Sequence, residues 1–320
     1  MPENTNDIYL HRESIGKVKL KEAHILVWIL LSSTLFGQSG INKFLKPSDT
    51  LNISRRNGVI ISEATLATIS LVGLNQLWYS DYPQSNFHTI NDSSEWLQMD
   101  KFGHVFSSYQ LGRIGADVLS WSGVNERDQL IYGATLGFAY LGIVEVFDGF
   151  SEEWGFSWTD ILANAAGTGL YVGQQLFWRE QRINLKYSFH QTQYAPQNPD
   201  KLGDGLMEEF LKDYNGQTYW LSVNLHSYFK QSRIPKWLNV AFGYGADGML
   251  SGENEAVNNL GKTQKRVRQY YLSLDVDLTK IETKSHVLKT IFSLFNAIKV
   301  PFPAMEFTEE NGIKLHGIYF

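Results

Sequence analysis

The 320-residue sequence contains no cysteine. A disulfide framework, a thiolate metal site and a cysteine nucleophile are thereby excluded. So is an acylated N-terminal cysteine, and the expectation is a chain that is not a bacterial lipoprotein. Positive charge is scarce as well. Lys and Arg number 28 against 33 Asp and Glu, for a formal net charge of −5. The densest basic group, Lys262, Lys265, Arg266 and Arg268, reads as a solvated loop between strands. A few exposed charges bind nucleic acid only weakly, so nucleic acid is not an expected partner. Familiar chemical signatures are missing too: no GxSxG elbow, no HExxH, no GxxxxGK and no GxGxxG opening a helix. No internal repeat or low-complexity tract is present.

Aromatic side chains, in contrast, are plentiful: 9 Trp, 16 Tyr and 19 Phe in a chain that is 43% hydrophobic. That supports a sizeable core and favours β-structure or a membrane-interface setting over a coiled coil. Both ends read as addresses. In "KVKLKEAHILVWILLSSTLFGQSG", Lys17, Lys19 and Lys21 precede an apolar stretch from Ile25 to Phe36. Gly37 and Ser39 are small residues where a cleavage site would place them. Residues 1–39 therefore read as a cleaved export signal, with an uncleaved anchor or a buried helix as the alternative. The terminal "GIKLHGIYF" alternates as a strand and ends on Phe320, like the last strand of outer-membrane barrel proteins.

Between the ends the period changes once. Residues 40–57 read as a connector. Residues 58–182 hold four candidate helices: Gly58 to Tyr79, Lys101 to Trp121, Asp128 to Phe147 and Trp158 to Trp178. Short loops favour antiparallel neighbours in a bundle. Gly112 and Gly115, Gly133 and Gly137, and Ala163 and Gly167 are small residues that let helices approach closely. After "WREQRIN" the period is two. "INLKYSFHQ", "TYWLSVNLHSYF", "WLNVAFGYG", "VRQYYLSLDVDL", Pro303 to Phe307 and the terminal segment read as strands, apolar on one face and polar or small on the other. Glu282 to Ile298 reads as an amphipathic helix. The expected fold class is α+β: an antiparallel helical bundle, then an antiparallel, curved or barrel-like sheet over residues 183–320. Five or six strands fall short of the roughly eight that a membrane barrel needs, so an open sheet and a barrel remain alternatives.

One constellation carries potential chemistry. In "MDKFGH", Asp100 and His104 share a helix face, and Asp100 is a natural N-cap. In "SWTDILAN", Asp160 and Asn164 are again four apart, with Ser157 as candidate cap. Glu145 closes the third helix and is followed by Asp148, while Glu152 and Glu153 face solvent in the turn. An up-down bundle brings these helix ends together, so His104, Glu145, Asp160 and Asn164 converge. Three chemistries fit such a set: a buried polar network that fixes helix register, a Zn, Mn or Mg site, and a general acid/base centre on His104. No pair of histidines at ligand spacing supports the metal. Arg113 and Asp117 read as an intrahelical pair. Arg179, Glu180 and Arg182 mark the meeting of helices and sheet.

The segments "DKFGHVFSSYQLGR" and "GIVEVFDGFSEEWGFSWTDILANAAGTGLY" resemble the YfiM-like group of envelope proteins, a domain of unknown function. "KDYNGQTYWLS" and "PKWLNVAFGYGADGM" resemble its long Bacteroidota version, so that the likeness covers residues 58–320. More distantly, D-K-x-x-H, E and D-x-x-x-N-x-x-G, here Asp100, Lys101, His104, Glu145, Asp160, Asn164 and Gly167, resemble the VanZ-like membrane proteins. The resemblance implies an envelope location and a helical core around these polar residues. It implies no reaction, cofactor or ligand.

The function expected is that of an outer-membrane-associated envelope protein of a Gram-negative bacterium, with a structural, assembly or ligand-binding role and envelope proteins among its partners. The alternatives are an envelope hydrolase or transferase on lipid or glycan, using His104 with Glu145 or Asp160, and a transport or channel component. Asp100, Lys101, Asp148 and Asn164 complete the candidate site as ligand-binding or network residues.

Overall fold

The computed structural model describes residues 38–80, 82–253 and 265–319. Most of the expected signal segment and the terminal Phe320 lie outside the described residues. Backbone contacts divide the chain into two units, one of Met1–Lys46 with Thr283–Thr290, the other of Pro47–Glu282 with Ile291–Phe320.

In the first unit, helix α1 is Gln38–Leu45. The Asn42 side chain accepts hydrogen bonds from the backbone N–H groups of His286 (2.5 Å) and Val287 (3.2 Å). It thus satisfies donors that a helix start leaves unpaired. The stretch expected as a connector over 40–57 holds most of α1 and the first turn of the next helix.

The second unit opens with α2, Ile53–Leu74, capped by the Asn52 side chain on Arg55 N–H. The helix is 22 residues long with mean hydropathy 1.5, yet only 6% of its most apolar window is buried. Val59 is buried, while Ile60, Ile61, Leu66, Ile69 and Val72 are exposed. The sequence expectation of long apolar helices over 101–121, 128–147 and 158–178 is met by α3 (Met99–Trp121), α4 (Leu136–Asp148) and α5 (Trp158–Trp178). A π-helical turn, Gln129–Gly133, leads into α4. These three helices pack pairwise, and two-residue strands β1 (Thr89–Ile90) and β2 (Phe156–Ser157) pair in parallel beside them.

Glycine sets the spacing. A Cβ on Gly137 would lie 2.2 Å from Ser108 O, and one on Gly167 would lie 2.1 Å from Val105 O. Backbone of α4 and α5 therefore touches backbone of α3, which any side chain at these two positions would prevent. Ser108 Oγ, which lies in that contact, donates to Asn164 O at 2.7 Å.

The sheet runs β3 (Ile183–Phe189), β4 (Gln217–Asn224), β5 (Leu238–Asp247), β6 (Val267–Val276), β7 (Phe302–Thr308) and β8 (Gly312–Tyr319), each antiparallel to the next. All six expected strands are present. They form an open sheet among the described residues and do not close into a barrel, which corrects that alternative. Helix α6 (Leu206–Lys212) lies between β3 and β4, and α7 (His286–Phe295) between β6 and β7. The α6 segment has no clear helical signal in the sequence, because it is only seven residues long.

The polarity of the sheet is inverted relative to a soluble antiparallel sheet, where apolar residues face the core. Asn184, Lys186, Trp220, Ser222, Asn224, Asn239 and Asp275 share the buried face, whereas Leu221, Phe242 and Leu274 on the other face are exposed. The buried polar groups bond one another. Lys186 Nζ meets Asp275 Oδ2 at 2.8 Å, Ser222 Oγ donates to the same carboxylate at 2.6 Å, and Asn239 Nδ2 donates to Ser222 Oγ at 2.8 Å. Lys186 and Asp275 are three strands apart, about 14 Å across a flat sheet.

Replacing Gly167 by Ala should destabilise the fold by about 2–4 kcal/mol, because the methyl has backbone on its far side and nothing flexible to displace. Gly173→Ala in the same helix has open space around it and should stabilise by up to about 1 kcal/mol. Equal melting temperatures for the two variants would contradict the close-approach account.

Candidate functional site

The site is built at the start of α3. Three consecutive residues ahead of it, Trp96, Leu97 and Gln98, have φ of 47°, 50° and 67°. None is glycine, so each left-handed residue costs roughly 1–2 kcal/mol. The turn is held from several directions. Tyr244 on β5 donates its hydroxyl to Leu97 O at 2.5 Å, Arg268 on β6 donates to Gln98 Oε1 at 2.8 Å, and Gln98 Nε2 donates to Ser93 O at 3.0 Å. Leu97 and Met99 are buried with Ala246 and Met249. Gln98, not Asp100, occupies the N-cap position, and it caps with no side chain. The expectation that Asp100 caps α3 is therefore corrected: its carboxylate sits one residue inside the helix and turns to the cluster.

His104 lies one turn further along. Its Nδ1–H donates to Asn164 Oδ1 at 3.0 Å, which leaves Nε2 facing carboxylates. Nε2 is 3.6 Å from Glu145 Oε1, 3.7 Å from Asp100 Oδ1 and 3.9 Å from Asp160 Oδ1. These are ion-pair separations, too long for hydrogen bonds. Lys101 ties two of these acids, Asp100 and Asp160, to a third, Asp92. Its ammonium is 2.6 Å from Asp92, 2.7 Å from Asp160 and 2.9 Å from Asp100. Ser157 caps α5 on Asp160 N–H, as its sequence position suggested, and its hydroxyl donates to Asp92 at 2.7 Å. The backbone N–H of Ser157 donates to Glu145 Oε2 at 3.2 Å. Tyr214 donates to Asp100 at 2.9 Å.

All of His104, Glu145, Asp160, Asn164, Asp100 and Lys101 are thus brought together. Asp148 stands aside and accepts from the Tyr79 hydroxyl at 2.6 Å. Glu152 and Glu153 are exposed, as expected for the turn. Asp92, Tyr214 and Tyr79 were not singled out from the sequence. Asp92 sits in a run, "NDSS", whose ordinary reading is a turn, and Tyr214 lies 114 residues from its partner.

Electrostatics follow from burial. Desolvation pushes Glu145 up to about 8, opposed by His104 and helped by Asp160 and Asp148. Desolvation and the charge of Asp100 take Asp160 to about 7. Burial would raise Asp92, but hydrogen bonds from Lys101 and Ser157 bring it down to about 2. Burial would likewise raise Asp100, and His104 and Lys101 hold it below the ordinary range. For His104 burial favours the neutral ring, yet Asp100, Asp160 and Glu145 outweigh it and raise its pKa.

One edge of the cluster is open. Asp100 and His104 keep 23% and 16% of their side-chain surface, against 2% for Glu145 and 6% for Asp160. Asp100 and His104, with Gly103 and Ser107, line a cavity of about 250 Å³ whose other walls are mostly aromatic and aliphatic. Asp100, His104 and Asp160 offer three ligand atoms within 4.8 Å of one another, the spacing a metal ion needs. The Lys101 ammonium already sits against both carboxylates, so a divalent ion would have to displace it.

Residues 89–174, about a quarter of the chain, match a protein family described as "Predicted periplasmic lipoprotein (DUF2279)". Comparison with curated proteins and with solved structures gives no match. The match contains every residue of the cluster except Tyr214. Its description fits an envelope protein and carries no reaction or ligand. It does not extend to the YfiM-like or VanZ-like resemblance. The 320 residues offer no cysteine for the acylation that "lipoprotein" implies.

The raised carboxyl groups set the sign of the pH dependence. Folded Glu145 holds its proton up to about pH 8, whereas its ordinary value is 4.5, so the folded state binds more protons between those limits. Stability then falls as pH rises through that window. Glu145→Gln keeps an acceptor for Ser157 N–H and should reduce the fall. Chemical denaturation at pH 4.5, 6 and 8 measures it, and an unchanged slope would count against the desolvated carboxyl.

Proposed function

We propose that this chain is an envelope protein of a Gram-negative bacterium that rests against the outer membrane and binds a small ligand where His104 and Asp100 meet the cavity. The observation that carries the ligand-binding reading is the open edge of the cluster. A purely structural network is sealed and bonded on all sides. Here two charged side chains border an apolar cavity, the arrangement expected of a binding site.

Membrane association rests on the exposed apolar surface of α2 and of the outer face of the sheet, together with the envelope description of the matching family. Apolar patches of this extent on a water-soluble chain are interaction surfaces. The reach of Lys186 to Asp275 supports a sheet that curls around its polar face. In this reading residues 58–182 supply the site, and residues 183–320 supply the membrane-facing sheet and one wall of the cavity. A channel fits less well, because the polar face is filled by side chains bonded to one another.

An enzymatic reading has one observation in its favour. Glu145 near 8 and Asp160 near 7 flank an imidazole, so several protons can move near neutral pH. In that case His104 is the acid/base, and its partners Glu145 and Asp160 tune it.

In a strain lacking the gene, His104→Gln should accumulate to wild-type level and fail to restore whatever envelope defect the deletion causes. Full restoration would remove both readings of the site, and loss of the protein itself would point to a structural role. Fractionation tests the location: recovery solely with the inner membrane would eliminate the outer-membrane assignment.

A further inference from the structure

We infer that the cavity takes the hydrocarbon chain of a single-chain amphiphile, with a hydroxyl or amine head against Asp100. The inference rests on the ligand-binding reading above and adds the chemical class of the ligand.

The wall is mostly aromatic and aliphatic, with Tyr214 and Gln217 among its polar members. Tyr187 stacks edge-on with Phe210 at a centroid distance of 5.0 Å, and Phe106 lies 5.7 Å from Tyr187 and 5.8 Å from Tyr219. All four rings line the cavity, along with Leu141 and Leu211. The wall is also pinned. The carbonyl of Phe210 accepts from Tyr187 OH at 2.7 Å and from Gln217 Nε2 at 3.2 Å. Pre-formed walls of this kind lose little entropy on binding.

The rim continues outward. Phe210 and Leu211 border the cavity and are exposed on α6, where Leu206 and Met207 are also exposed, Met207 to 76%. The cavity therefore opens beside an apolar apron rather than a polar rim. A water-soluble ligand gains nothing from such an apron, whereas a chain leaving a bilayer stays covered along it. At about 250 Å³ the cavity is smaller than the roughly 300–1,000 Å³ of drug-sized sites, which suits one chain and not two.

Charge selects the head. Lys101 directs its ammonium to three carboxylates and is not among the residues that line the cavity, so it is not offered to a phosphate. His104 is surrounded by Asp100, Glu145 and Asp160. Asp100 is the one carboxylate among the residues that line the cavity, and His104 and Lys101 hold it ionised, so a hydrogen-bond donor is favoured there over an anion. Ser107, one helical turn from His104 and also lining the cavity, is not placed as a nucleophile for this ligand. Both ring nitrogens of His104 already face other groups, Nδ1 towards Asn164 and Nε2 towards the carboxylates.

The test uses the full chain in nanodiscs and radiolabelled dodecylamine. One equivalent should bind saturably, and dodecyl phosphate should bind at least about tenfold more weakly. Ser107→Phe fills the cavity and should weaken dodecylamine by about tenfold or more, while Ser107→Ala leaves it unchanged. If Ser107→Phe does not fold, Leu141→Trp replaces it. Dodecylamine binding to the filled variants with wild-type affinity overturns the inference, and preference for dodecyl phosphate overturns the head-group assignment. Ethanolamine, the head without the chain, separates the two levels through the His104 imidazole NMR signal. A shift with ethanolamine alone keeps the ligand site and rejects the hydrocarbon chain. No shift with either probe rejects both.

Discussion

The close approach of α3 to α4 and α5 is the constraint from which the rest follows. At Gly137 and Gly167 the helices meet backbone to backbone, with Ser108 O and Val105 O where side chains would otherwise stand. Such contact fixes both the separation and the rotation of the helices. His104 lies on α3, Glu145 near the end of α4, and Asp160 and Asn164 on the first turns of α5. With the helices this close, side chains of ordinary length reach one another. A wider separation would admit water and let each acid titrate near its ordinary value.

Within that frame the polar cluster is costly and therefore informative. Several carboxyl groups are removed from water, and they persist only because cations and donors meet them. Lys101 compensates three of them, and the left-handed turn at Trp96, Leu97 and Gln98 aims it there. The strain in that turn is held by hydroxyl and guanidinium donors from the sheet. The sheet thus does more than carry an apolar outer face. Through Tyr244 and Tyr219, joined by Tyr214 in the turn ahead of β4, it orients the start of α3 and closes the cavity next to it.

The sheet presents the same economy in reverse. Its polar residues face inward and satisfy each other, and its apolar residues face out. This inversion, together with the exposed side of α2, leaves apolar side chains on the outside of the chain. The cavity and the apolar apron on α6 belong to this same outward apolar character.

Much of this was legible from residue order. The change of period after residue 182, the four long apolar segments and the six strands are local patterns, and each element forms where its pattern lies. Ser157 is a cap because a serine ahead of an apolar run satisfies free N–H groups wherever it occurs. The spacing of His104 after Asp100 and of Asn164 after Asp160 placed each pair on one helix face. Other features were not local. Asp100 failed as a cap because a turn held by β5 and β6 moved the helix start. The barrel alternative failed because β3 and β8 do not pair. Asp92 and Tyr214 joined the cluster through contacts 9 and 114 residues long. Sequence by itself determined which of the long segments are helix or strand, which faces are apolar and which acids are available. Only the tertiary structure decided which of those acids meet and which remain in water, because desolvation and Coulomb interaction act through space and depend on distances that no local pattern encodes.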